Sequence, residues 1–517
     1  MSKVVKQKKN IVSVNMLYFR KNLILFYEIK KVIGFVKSTL GPRGMDKLLV
    51  SRKGDIKITN DGATILKNAF YNNIIKKIFD DLINTYDNEI GDGTTSVSCL
   101  IGELISEAEK LINIQIHPQV IIKGYKLAAR EALSILNSIM FSESKNERLF
   151  CEHLFDLART TLCSKIIFPV RDHFAKLLVE GVLKLNGNID IRYIKIIKKI
   201  GGSIRDSFLE EGFILESKMG VGQPKRIENA KILIANTALD SDKIKIYGTK
   251  IKTFTLANLA RIEIADQKKI LDKCKKIIFH GANVFVNRQL IYNRQESFLT
   301  NYGIVSIEHA DFEGIERLSL VTGGEIVSTF DEPSKVKLGY CKIVEEIMVN
   351  REKMVRFNGK LKINACTLVI RGSTQQLLDE AERSVHDALC VLSRSIRDPR
   401  FVWGGGNTDI FLFLKLESFS QKFKSKVSMA ILAFSRSIRN LVKILLENAE
   451  IDSTFLISRL KTARQRGDSK ACIDIKKKNI AQADKLGLIE LFKLKTQTLI
   501  SAVETVEMIL RIDTILK

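Results

Sequence analysis

Gly91-Asp92-Gly93-Thr94-Thr95-Ser96 runs straight into a helical repeat that begins near Val97, with Ile101, Leu104, Ile105, Ala108, Leu111 and Ile112 recurring at helical spacing. A helix cap needs one Ser, Thr or Asp. Four oxygen-bearing side chains beside two glycines exceed that need. They suit a phosphate, because a helix N-terminus presents free N–H groups and the positive end of its dipole. The hydroxyls of Thr94, Thr95 and Ser96 add hydrogen bonds, and Asp92 is a hard oxygen ligand for Mg²⁺. The chain has no Gly-x-x-x-x-Gly-Lys-Ser/Thr. Without a P-loop lysine, phosphoryl chemistry here leans on a metal and carboxylates.

Two more glycine-containing loops precede this one. In Leu40-Gly41-Pro42-Arg43-Gly44 the glycines let backbone N–H groups approach an anion and Pro42 stiffens the turn, although such a loop alone reads as a simple turn. In Thr59-Asn60-Asp61-Gly62-Ala63-Thr64, Ile56 and Ile58 alternate as in a strand, Asn60-Asp61-Gly62 turns the chain, and Ile65-Leu66 begin a helix. Asp61 as a helix cap, with Gly62 in the turn, is a sufficient account of that loop.

Outward from these loops, the first 140 residues read mostly as helix, and Leu499, Val503, Val506 and Leu510 repeat the pattern near the far end. From 213 to 370 short apolar runs alternate with helical stretches: Lys231 to Asn236, Ile277 to Phe279, Val284 to Val286, Gly303 to Ile307 and Thr367 to Ile370. This predicts an α/β domain with a buried sheet. After 375 the helical period returns to the end. A helical start, an α/β centre and a helical finish imply one domain inserted into another. No internal repeat or low-complexity linker is visible.

The chain's 517 residues, 45% hydrophobic, predict a multidomain protein with a sizeable core. No apolar run reaches about 18 residues, so no transmembrane helix and no membrane partner are expected. The basic N-terminus lacks the continuous apolar segment of a secretory signal. Met16-Leu17-Tyr18-Phe19-Arg20-Lys21 reads as part of a first amphipathic helix, with a mitochondrial presequence as the alternative. Eight scattered cysteines without a Cys-x-x-Cys pair point to reduced, buried thiols and a cytoplasmic location. The net charge of +25 would suit a nucleic-acid binder, but the lysines are spread through nearly every segment. Lys476-Lys477-Lys478 has no interleaved aromatic, so a solvated basic surface is expected and nucleic acid is not.

Together the loops resemble the group II chaperonins, the TRiC/CCT family. The stretch from Lys37 through Leu40-Gly41-Pro42-Arg43-Gly44 to Lys47, then Asn60-Asp61-Gly62-Ala63-Thr64, Gly91-Asp92-Gly93-Thr94-Thr95, His386-Asp387-Ala388-Leu389 and Gly404-Gly405-Gly406, follow that family's order and spacing. Pro224 to Thr237, Asn287 to Asn293, and the run from Ile307 to Glu325 resemble one subunit type of the eukaryotic cytosolic ring in particular. The resemblance implies a multidomain α + α/β chaperonin fold. A discontinuous helical equatorial domain (1–145 and 401–517) would bind ATP, a small intermediate domain (146–212 and 371–400) would act as hinge, and the inserted α/β apical domain (213–370) would bind substrate. A helical protrusion acting as a built-in lid is expected within Leu239 to Ile270.

It further implies an ATPase that uses ATP and Mg²⁺, with K⁺ as a further candidate ion. The partners would be paralogous subunits in a double eight-membered ring and unfolded or partly folded protein substrates. Carried over by motif, Asp92 resembles the Mg²⁺ ligand, and Leu40, Gly41, Pro42, Gly93, Thr94, Thr95 and Ser96 the nucleotide contacts. Lys165 resembles a sensor of the γ-phosphate, and Gly405, Glu490 and Lys495 the rest of the pocket. Asp61 would lie near metal and γ-phosphate, and Asp387 resembles the carboxylate that activates the attacking water. By periodicity alone, Asp387 reads as an exposed helix residue.

The pattern departs at Asn72-Asn73-Ile74-Ile75-Lys76, where the family commonly has Asn-Pro-Ala-Ala-Lys. It departs again at Glu447-Asn448-Ala449-Glu450 for Asp-Asn-Ala-Gly, at Cys472-Ile473-Asp474 for Gly-x-Asp, and at Asp409 for a glutamate. Two other readings follow from these features: a largely architectural ring subunit with weak ATPase, and, on charge alone, a basic nucleic-acid-binding protein.

Overall fold

A computed structural model describes residues 25–51, 54, 56–68, 73–142, 146–185, 190–239, 256–349, 352–359 and 365–512. The segment around Met16–Lys21 lies outside the described residues. The chain forms two compact units, Met1–Val179 with Gln375–Lys517, and Glu180–Thr374.

The first unit is helical. Residues 25–37 and the helices Thr94–Asn113, Pro118–Ile139, Lys426–Asn448 and Phe492–Arg511 bury one apolar stripe each. Ile33, Leu100, Leu104, Ala128, Phe434 and Val506 meet in a shared core without measurable exposure. Every apolar position of the two sequence repeats, from Ile101 to Ile112 and from Leu499 to Leu510, is buried there. The helix after the glycine-rich loop starts at Thr94 rather than near Val97, so Thr94, Thr95 and Ser96 form its first turn.

Short strands interrupt this helical frame: Ile56–Thr59 where Ile56 and Ile58 alternate in the sequence, the others where it shows only helical period. Lys47–Val50 pairs antiparallel with Ile56–Thr59, Phe401–Trp403 with Ile489–Leu491, and Ala471–Asp474 with Asn479–Gln482. Strands of three or four residues complete too few alternations to stand out from a helix pattern. In the hairpin Lys47–Val50/Ile56–Thr59, Leu48 opposes Ile58 and Val50 opposes Ile56, and all four are exposed.

The second unit holds a seven-stranded mixed sheet. Phe213–Leu215, Glu352–Asn358, Gly339–Val349 and Arg226–Ala235 run antiparallel in that order, and Val284–Asn287 and Val305–Ile307 continue it in parallel. Ile326–Val327 pairs parallel with the end of Arg226–Ala235. Ile232, Ile234, Val284 and Val286 face one apolar cluster and Leu233 and Phe285 another, so the sheet is buried on both faces, as its continuous apolar runs require. Two of the expected runs behave differently. Ile277 to Phe279 is the end of a long helix, Leu256–Phe279, because three apolar residues cannot by themselves distinguish helix from strand. Thr367 to Ile370 lies in a separate three-stranded sheet, in which Cys366–Gly372 is parallel to Ile194–Ile200 and antiparallel to Phe208–Glu211.

Of the range expected to hold a protrusion, residues 240–255 lie outside the described residues, Leu239 is a buried non-helical residue, and 256–270 belong to helix Leu256–Phe279. Among the described residues no helix is long and apolar enough to cross a membrane. Five of the cysteines, Cys99, Cys274, Cys341, Cys366 and Cys472, are buried, and Cys151, Cys163 and Cys390 are partly so.

Candidate active site

A cavity of about 300 Å³ opens within the helical unit. Its polar end is the first turn of helix Thr94–Asn113. Gly93 precedes that helix in the left-handed region (φ 88°), and no side chain caps it. The Asp92 carboxylate accepts the Gly93 N–H at 2.8 Å. Asp61 is indeed a cap: its oxygens accept the Ala63 and Thr64 N–H groups at 3.1 and 3.0 Å and the Thr64 hydroxyl at 2.8 Å. The capped helix is Gly62–Asn68. Asp61 also accepts the Thr94 hydroxyl at 3.2 Å, so one carboxylate ends a helix and faces the cavity at once.

Asp387 corrects the expectation of an exposed helix residue. It is 7% exposed, and Lys165 Nζ donates to it at 2.5 Å. On helix Gln375–Arg397, Glu380, Ser384, Asp387 and Val391 form one buried line at spacings of four, three and four. The polar members of that line hide it from a hydrophobicity reading, although the spacing is present in the sequence.

Lys165 thus sits among three carboxylates. Burial disfavours its charge, but Asp387, Asp92 and Asp61 outweigh this and hold its pKa above the ordinary value. Burial also works against Asp61, yet Lys165 and the Thr64 and Ala63 donors keep its pKa below the usual value. Asp92 and Asp387 go the other way. Burial pushes both up, Asp387 well above the ordinary range; Lys165 offsets only part, and the neighbouring carboxylates add to the rise. One ammonium against three carboxylates leaves two negative charges when all are ionised, a deficit that a divalent cation matches. Among the described residues no group of three or more His, Cys, Asp or Glu side chains is placed to hold a metal ion by itself.

At another part of the wall, Lys495 Nζ lies 3.0 Å from Asp409 and 2.9 Å from Glu490. Strand Ile489–Leu491 fixes Glu490 opposite Val402, and helix Phe492–Arg511 carries Lys495. The lining also holds apolar residues, among them Leu441, Leu445, Ile475 and Leu488. A lining that combines charged and hydroxyl groups with apolar side chains suits an amphipathic ligand with an anionic tail and a flat ring. Leu40, Gly41, Pro42, Asp61, Asp92, Gly93 to Ser96, Lys165, Gly405, Glu490 and Lys495 all line the cavity; Asp387 reaches it through Lys165.

Sequence reasoning missed Thr161, Asn448 and the apolar residues of helix Lys426–Asn448. Asn448 donates to the Lys37 and Leu40 carbonyls, both at 2.8 Å, and so holds the Leu40–Gly44 loop against the cavity. Gly41 has φ 93°, and a Cβ there would meet Leu445 at 3.3 Å, so this loop needs glycine for both conformation and space.

A sequence profile of the TCP-1/cpn60 chaperonin family matches residues 32–517. The chain belongs to that family. It is 50% identical over 488 residues to T-complex protein 1 subunit beta of Dictyostelium discoideum, covering 94% of this chain and 92% of that protein. The subunit beta of Saccharomyces cerevisiae is 50% identical over 93% of this chain and 92% of its own length. That of Homo sapiens is 48% identical over 93% and 90%. Within the TRiC/CCT chaperonins the likeness is therefore to the beta subunit.

The departures from the chaperonin pattern now have geometry. Asp409 replaces a glutamate yet still reaches Lys495. Cys472 packs its side chain where a Cβ on Gly405 would stand 3.1 Å away, and the Ile473 N–H donates to the Gly405 carbonyl at 3.1 Å. Asp474 accepts the Lys476 and Lys477 N–H groups and shapes the turn beyond. Glu450 sits in the left-handed region at φ 55°, just past helix Lys426–Asn448, where the family uses glycine.

Proposed function

We propose that this chaperonin subunit binds ATP with Mg²⁺ in the helical unit and hydrolyses it, within a hetero-oligomeric double eight-membered ring that binds and encloses non-native proteins. The observation that carries the reading is the buried Lys165–Asp387 pair beside Asp61 and Asp92, facing an uncapped helix N-terminus. The nucleotide's phosphates would lie on the first turn of Thr94–Asn113, and its base among Leu441, Leu445 and Ile475. Mg²⁺, held through Asp92 with Asp61 nearby, would supply charge neutralisation at the phosphates. Lys165 balances the carboxylates and is poised to meet the terminal phosphate. Asp387, with its raised pKa, takes a proton from water once its ion pair with Lys165 opens.

We assign residues 1–145 and 401–517 to the equatorial domain, 146–212 and 371–400 to the hinge, and 213–370 to the substrate-binding domain. The cavity takes its lining from both terminal parts of the chain and, at Leu157, Thr160, Thr161, Lys165 and Val391, from the hinge ranges, which supports a site shared by the equatorial domain and the hinge. The exposed apolar hairpin face supports a neighbour in the ring. A two-stranded hairpin is marginal alone, and Leu48, Val50, Ile56 and Ile58 offer a surface for an adjacent subunit to cover. The cytoplasm is the expected setting for so many buried free thiols.

The experiment is single-turnover hydrolysis by the purified assembly with Asp387→Ala in this subunit. A general base contributes about 10²–10⁴-fold. This subunit's share of ADP release is expected to fall by that order, while nucleotide binding persists. Unchanged release in the variant sinks the assignment, and unchanged release with Asp92→Ala as well leaves the subunit an architectural role.

A further inference from the structure

Helix Gln375–Arg397 meets the surroundings of the cavity at more than the Lys165–Asp387 pair. Glu380, on the same buried line and 2% exposed, reaches the turn that leads into Asp61. Its carboxylate accepts the Thr59 hydroxyl at 3.2 Å and the Asn60 N–H at 3.4 Å. Arg383, one turn further on, donates to Glu380 and, at 3.0 Å, to the Thr59 oxygen. That oxygen also accepts the Asp61 N–H at 3.1 Å. With one bond donated and two accepted, the Thr59 hydroxyl is saturated.

Burial raises the pKa of Glu380, and Arg383 with the Asn60 and Thr59 donors offsets part of that rise. A buried ion pair is a costly way to gain stability, since apolar side chains of similar volume seal a contact without desolvating charge. What a fully satisfied polar network does fix is one arrangement of its partners. Here those partners are a helix and a turn that both bear carboxylates of the site. Glu380 and Asp387 lie seven residues apart, nearly two turns, so they project from one side of the helix about 10 Å apart along its axis. A rigid helix cannot shift Asp387 without shifting Glu380. Further along, Gly91 (φ 84°) packs so closely on Cys390 that a Cβ there would collide with it. The loops bearing Asp61 and Asp92 therefore both rest on the helix that carries Asp387.

We propose that Glu380, supported by Arg383, is a positioning residue for ATP hydrolysis: through Thr59 and Asn60 it sets Asp61 relative to Asp387, and so aligns the attacking water with the terminal phosphate. The inference rests on the hydrolytic reading of Asp387 given above. Glu380 touches no reacting atom. It acts through the Thr59 hydroxyl and the backbone of the turn.

Single-turnover hydrolysis and equilibrium ADP binding by the purified assembly test this, with Glu380→Ala, Glu380→Gln, Thr59→Val or Asp387→Ala in this subunit. Glu380→Ala is expected to slow this subunit's share of hydrolysis about tenfold or more and to leave ADP affinity within about twofold, because alignment and not binding is lost. Glu380→Gln keeps an acceptor oxygen for Thr59 and Asn60 and is expected to recover most of the rate. Thr59→Val is expected to match Glu380→Ala, and the two together to be no slower than either alone, since both remove one linkage. If Glu380→Ala does not fold, Thr59→Val is read by the same rate and affinity criteria. Parallel loss of rate and ADP affinity makes the network a structural one and overturns the inference. So does a Glu380→Gln rate as low as that of Glu380→Ala. A normal rate in Glu380→Ala beside a slow Asp387→Ala overturns the inference and leaves the hydrolytic reading standing, whereas normal rates in both remove the two together.

Discussion

Lys495 stands between Asp409 and Glu490 at hydrogen-bonding distance from both, and burial makes each charge depend on the others. Burial opposes the ammonium, but the two carboxylates outweigh it and raise its pKa; burial raises that of Glu490. Lys495→Met leaves two carboxylates facing each other with no cation between them. The expected loss is at the lower end of the about 3–5 kcal/mol seen when one partner of a buried pair is removed, since the site keeps some exposure. Chemical denaturation of the variant measures it. Recovery of stability when Glu490→Gln is added tests whether charge, not packing, causes the loss. Lys165 answers to the same logic, with three carboxylates, Asp387, Asp92 and Asp61, around one ammonium.

At the scale of elements, the end of helix Lys426–Asn448 connects local conformation to the site. Asn448 holds the Leu40 loop, and two residues later Glu450 turns the chain at a positive φ. The Ile451 N–H donates to the Leu446 carbonyl at 3.1 Å, the closing bond of a helix end that favours glycine. A side chain in this region costs about 1–2 kcal/mol, part of which glycine returns as unfolded-state entropy. Glu450→Gly is therefore expected to stabilise the protein by up to about 1 kcal/mol, read from its denaturation midpoint. No gain would mean that the glutamate side chain makes a compensating contact.

At the scale of the whole molecule, the exposed hairpin face and the acid limit of stability can both be examined. Leu48→Lys with Ile58→Lys places two like charges opposite each other on that face. The variant is expected to keep its helical circular dichroism and fail to enter the ring, as read by native mass spectrometry of the assembly and its co-purifying subunits. Normal assembly would exclude the hairpin as the contact. In the second unit, Glu346 accepts from Lys225 at 3.1 Å and from the Met219 N–H at 3.2 Å. Burial works against its charge, but Lys225 and Lys353 hold its pKa below the ordinary 4.5. Its stabilisation is complete above that ordinary value and disappears as pH falls through the lower folded one. Glu346→Gln should flatten the decline in unfolding midpoint between about pH 5 and pH 3; an unchanged slope would assign the decline to other carboxylates.

The amphipathic helices, the buried α/β sheet and the loops at Gly41, Asp61 and Asp92 were legible because each is local: an apolar period, a run of β-branched residues, or a turn whose residue types dictate its conformation. The family resemblance added Lys165, Asp387, Glu490 and Lys495, which local pattern alone leaves as ordinary helix, turn and strand residues. Only the tertiary structure decided that Asp387 is buried against a lysine 222 positions away, since an ion pair across that separation leaves no periodic trace. It also decided the strand pairs at Phe401–Trp403 and Ala471–Asp474, whose partners lie far apart in sequence or whose strands are too brief to alternate visibly, and gave the Ile56–Thr59 strand its partner. Sequence fixes which groups are available and which backbone each prefers; long-range packing selects which of them meet, and so where charge is concentrated.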